Sequence, residues 1–104
     1  MSFDIDRVLK DMIEAISEHA QEDAPEIKAS IRQILDNEWE SLKELGEARL
    51  RNEIDDTVFD RELERERKVV EAELLTIEIM TKALAQKAVN AAIDVFINAV
   101  KAAI

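Results

Sequence analysis

The chain offers one glycine, Gly46, and one proline, Pro25, across 104 residues. Tight turns and strand connections draw on these two residue types, so their scarcity excludes a fold built from many short elements. What remains is a small number of long helices. The rest of the composition agrees, with 47% hydrophobic and 37% charged residues and aromatics at only 4%. Such a mixture supplies both an apolar stripe and a solvated face to each helix. The expected fold class is all-α, a single helical domain spanning residues 1–104.

Periodicity places three helices. Over residues 3–22 the apolar positions Ile5, Leu9, Met12, Ile16 and Ala20 recur in steps of three and four, the helical repeat. Pro25 disfavours the α conformation at Ala24 and suits the first turn of a second helix. Asp23 with Glu26 three residues on resembles a capping box. The second helix, residues 25–53, carries Ile27, Ile31, Leu35, Trp39, Leu42 and Leu50 on one stripe. Gly46 falls inside this pattern. It costs about 1 kcal/mol against alanine and permits close approach of a neighbour.

A cluster of N-cap residues, Asn52, Asp55, Asp56 and Thr57, marks the next boundary. Beyond it neither Gly nor Pro occurs, so residues 57–104 are expected to form one very long helix of about 70 Å. A seam runs along it through Leu63, Val70, Leu74, Ile77, Thr81, Leu84, Ala88, Ala91 and Val95, interrupted by Arg67. The competing expectation is a bend near Thr76 to Thr81, which would give four helices in one chain.

The stretch QKAVNAAIDVFINAVKAAI, residues 86–104, sharpens that choice. Apart from Gln86, its polar residues Lys87, Asn90, Asp94, Asn98 and Lys101 share one stripe, about 80° wide at 100° per residue. The remaining circumference is apolar and must be surrounded. A straight helix of this length leaves the two shorter helices too little girth to cover it. The sequence therefore predicts a homo-oligomeric bundle, a dimer in its simplest form. Its interface would be built from Leu74, Ile77, Leu84, Ala88, Ala91, Val95 and Phe96.

Charge and motif content narrow the function. The net charge is −10, and residues 1–54 hold 14 acids against 7 bases. That balance repels phosphate backbones and anionic membrane surfaces, so neither nucleic acid nor membrane is an expected partner. No cysteine is present to form a disulfide or a thiolate metal site. The segment SFDIDRVLKD lacks the basic start of a signal peptide, and no long window lacks polar groups. A soluble, cytoplasmic protein is the expectation.

Individual residues add little chemistry. His19, the sole histidine, is preceded three residues earlier by Ile16 rather than by the acid of a Glu-x-x-His motif. It reads as a surface residue. Glu38, beside Trp39 near the apolar stripe, is an acid–base candidate if buried and otherwise reaches the helix edge. Trp39 is a candidate partner anchor, or core packing. The run DRELERERK, residues 60–68, reads as a solvated face or an electrostatic contact surface. No Ser-His-Asp, Cys-His or phosphate-loop pattern is present, so enzyme chemistry and a bound cofactor are not expected. The expectation is a non-enzymatic oligomeric assembly or adaptor protein that binds another protein. The alternative is a carboxylate-based, ferritin-like metal-binding bundle.

Overall fold

The computed structural model describes residues 4–20, 25–78 and 80–104. Four helices account for nearly all of them: α1 Ile5–Ala20, α2 Pro25–Leu50, α3 Asp56–Leu74 and α4 Lys82–Ala103. Among the described residues there is no strand. The first two helices lie where the apolar steps place them, and α2 passes through Gly46, which is buried. The proposed cap of α2 at Asp23 or Ala24 lies outside the described residues.

The α2–α3 corner is specified by local chemistry. The Asn52 N–H donates to Arg49 O at 3.2 Å and the Glu53 N–H to Ala48 O at 2.9 Å. This is the paired closure of a Schellman motif, with Asn52 in the left-handed region at φ 58°. Asn is the residue after glycine that tolerates this geometry best. Asp55 then caps α3, accepting from the Val58 N–H at 2.9 Å. The expected start at Thr57 thus shifts to Asp56. Arg49 Nε donates to Asp56 Oδ1 at 2.7 Å across the corner.

The single long helix expected over residues 57–104 is replaced by two. Its length of about 70 Å exceeds the longest dimension of the molecule, 39 Å. The helix breaks after Leu74 without glycine or proline. The N–H groups of Thr76, Ile77 and Met80 donate to Glu73, Leu74 and Ile77 carbonyls, each three residues back. The Thr76 hydroxyl also donates to Glu73 O at 2.6 Å. Thr81 has extended backbone and its Oγ1 accepts from the Leu84 N–H at 3.2 Å, capping α4. Capping by Thr81 stabilises the new start by about 1 kcal/mol, and Ile77 and Met80 are buried within the turn itself. The chain reverses while continuing to bury apolar side chains.

The helices form a ring in which sequence neighbours pack together and α4 returns to α1, its most extensive partner. One core joins all four, including Met12 and Ile16 of α1, Ile31, Leu35 and Leu42 of α2, Phe59, Val70 and Leu74 of α3, and Val89, Phe96 and Val100 of α4. Full burial of each large side chain stabilises by about 1.5–3 kcal/mol. Ala85, Ala88 and Ala92 are buried on one face of α4, where small side chains let a neighbouring helix approach closely. The polar positions Lys87, Asn90, Asp94, Asn98 and Lys101 are all exposed, as the stripe requires.

Several of the side chains expected at an interface between copies are covered within one chain. Leu74, Ala88 and Phe96 are fully enclosed and Ile77 nearly so by the chain's own helices. Leu84, Ala91 and Val95 are half-buried. The exposed area, 6298 Å², is close to the roughly 5,900 Å² expected for a folded monomer of this mass. The radius of gyration, 13.3 Å, matches the roughly 13 Å of a compact chain of about 100 residues. Large exposed apolar side chains among the described residues are Val69, Leu75 and Ile104, which form no stripe along α4. No described helix is long and apolar enough to cross a membrane.

Candidate functional site

The sequence candidates separate in space. His19 and Glu18 are exposed on α1, and Glu22 lies outside the described residues. Trp39 is half-buried and packs against the core. Among the described residues no group of three or more His, Asp or Glu side chains is placed to hold a metal ion. The ferritin-like alternative therefore gains no support from the arrangement.

Glu38 does find partners, and they come from α3. The helix repeat puts Glu62, Glu66 and Glu73 on one side of α3, four and seven residues apart. Glu38 of α2 acts electrostatically on both Glu66 and Glu73. Burial, followed by the Glu38 charge, a hydrogen bond with Glu38 and the Glu62 charge, pushes the Glu66 carboxyl up to about 7. Glu73 is also raised, by burial first and then by Glu38. Two ionised carboxylates can only accept, so contact between them becomes a hydrogen bond only with a shared proton. Glu66 Oε2 is enclosed and has no hydrogen-bond partner among the described residues.

Beside this pair lies an open groove of about 330 Å³ between α2 and α3. Its apolar lining is Leu45, Ala48, Ile54 and Val58, and its polar lining is Ser41, Glu44, Glu62 and Glu66. No lining residue is cationic. Glu62 is approached by Arg61 at 3.9 Å and Arg65 at 3.6 Å. Glu44 and Glu66 have no Lys or Arg nitrogen within 4 Å among the described residues. By contrast, Arg67 is committed to Glu64 through two hydrogen bonds on the other flank of α3.

Sequence reading selected Glu38 but not Glu66, Glu73 or Glu44. Within DRELERERK, a solvated face or electrostatic contact surface by its sequence, Glu66 is the acid on which the Glu38 charge of α2 acts. The signal was the helical spacing of Glu62, Glu66 and Glu73 beside the buried seam positions Leu63 and Val70.

No protein-family model matches the chain, and searches of curated proteins and of solved structures find no match to it.

Proposed function

We propose that this chain is a non-enzymatic interaction module whose α2–α3 face receives a basic segment of another protein. The reading follows the adaptor role inferred from composition, but on a bundle that completes its own core. One observation supports it: carboxylates gather around an apolar groove without a cation to neutralise Glu44 or Glu66. Like charges held together destabilise a fold, and such costs are retained where function needs them. A lysine or arginine would lay its methylene stem on Leu45, Ala48 and Ile54 and bring its charge to Glu44 and Glu66. The recognition is electrostatic complementarity over a small apolar floor.

NMR titration with a lysine- and leucine-containing amphipathic peptide tests this directly. Saturable shifts should cluster on residues 38–48 and 54–66, and added salt should weaken binding. A glutamate-for-lysine version of the peptide should not bind. Absence of saturable binding, or shifts spread evenly over the surface, would remove the reading.

A further inference from the structure

We infer that α4 is exchangeable between copies: the α3–α4 hairpin opens between Leu74 and Lys82 into one continuous helix, and α4 then packs on α1 of a second copy of this chain. This goes beyond the α2–α3 groove and does not depend on it. The two corners flanking α3 differ in how firmly they are fixed. The α2–α3 corner is locked by Asn52 at φ 58°, the only positive φ among the described residues, by the Asp55 cap and by the Arg49–Asp56 ion pair. At the α3–α4 corner Leu75 is still helical at φ −67°, ψ −12°. Thr76, Ile77 and Met80 donate to carbonyls three residues back, the tightened form of the helical bond. Thr81 departs from the helix, extended at φ −82°, ψ 164°. Rotating its ψ to about −40° returns it.

Sequence and packing both permit the open form. Neither Gly nor Pro follows Gly46, and Leu74, Ile77, Thr81 and Leu84 keep the helical repeat across the corner. Helix α4 packs mainly on α1 and much less on α3, so its principal partner surface is one that a second copy presents identically. Reciprocal exchange rebuilds the same core under two-fold symmetry, with little net change in contacts. In a continuous helix Phe59 and Phe96 lie about 55 Å apart, so the stack between them is made with Phe96 of the partner subunit. Val69 and Leu75, each 42% exposed, flank the corner at the end of α3 and are the apolar side chains that the crossing of two opened hinges covers. Helix α4 leaves the core only when the bundle opens, so folded monomers do not exchange on dilution alone.

Incubation of the full chain near its unfolding midpoint in urea, at low and at high concentration, followed by return to buffer and light scattering, tests the exchange. A species of twice 11.9 kDa should form only at high concentration, keep the helical content of the monomer and persist on dilution. In dimers refolded from mixed isotope-labelled and unlabelled chains, isotope-filtered NOEs should join Phe59 of one chain to Phe96 of the other. Thr81→Ala removes the cap that favours the hairpin and should raise the association constant by about 30-fold, one cap being lost in each of two chains. Lys82→Pro suits the hairpin, because an extended Thr81 precedes it and position 82 opens α4, but it breaks a continuous helix. That variant should fold and yield monomer alone. Only monomer from both wild type and Thr81→Ala, a dimer whose Phe59–Phe96 contacts stay within each chain, or a folded Lys82→Pro variant that still dimerises would overturn the exchange.

Discussion

Phe59 of α3 stacks on Phe96 of α4 with ring centroids 6.1 Å apart and planes inclined by 13°. Both rings are buried. The two residues belong to the segment that the sequence extends as one helix, yet they meet face to face across the hairpin. Their contact holds the apolar C-terminal helix inside the chain that made it.

Replacing Phe96 with alanine should therefore destabilise the bundle by about 3–5 kcal/mol. That is a large fraction of the roughly 5–15 kcal/mol that a small domain commands. Phe59→Ala should cost less at its more peripheral position. The double variant should show a coupling of about 0.5–1.5 kcal/mol beyond area burial. Urea unfolding of the four proteins measures it; strictly additive losses would show that the stacking contributes nothing of its own.

Thr81 supplies the cap at which α4 begins. Thr81→Ala removes the acceptor for the Leu84 N–H and should cost about 1 kcal/mol. Thr81→Ser should keep most of that stability. Equal unfolding midpoints for the Ala variant and wild type would mean that the reversal does not depend on the cap.

Ser17 is 3% exposed on α1, and its Oγ has no hydrogen-bond partner among the described residues. An unsatisfied buried hydroxyl is costly, and alanine is the better helix former. Ser17→Ala should raise stability by about 1 kcal/mol. A destabilised Ala variant would indicate that the hydroxyl is satisfied in solution.

The raised Glu66 gives an unusual pH profile. Its folded-state carboxyl is pushed up to about 7 from the ordinary 4.5 of a glutamate, so between those values the folded chain binds more protons than the unfolded one. The stabilisation is fully present below about pH 4.5 and is lost as pH rises through 7. Glu73, raised in the same direction, adds to the trend. Glu64, lowered chiefly by its hydrogen bond with Arg67, opposes it from an exposed position. Glu66→Gln should be more stable than wild type at pH 8 and similar to it at pH 4. Thermal melts across that range should show the gap opening with pH; a constant gap would contradict a Glu66 carboxyl raised by burial.

Much of the fold was legible because helix periodicity is a local property. The apolar steps of α1 and α2 and the interior position of Gly46 followed from it. So did the exposed stripe from Lys87 to Lys101. The break at residues 75–81 was less visible, since it uses neither glycine nor proline. Thr81 served the seam pattern as well as it serves a cap, and Ile77 and Met80 stay buried through the turn. Only packing decides between a straight helix and a hairpin there, and packing is non-local. The carboxylate groove was hidden for a related reason. Glu38 and Glu66 are separated by 28 positions, and their proximity exists only once α2 and α3 pair.

One chain encloses the apolar face of its own C-terminal helix. Light scattering coupled to size exclusion, run with circular dichroism over a wide dilution series, tests it most directly. A mass of 11.9 kDa with constant helical content at every concentration is the result predicted. A species of twice that mass that loses helix as it dissociates on dilution would contradict it.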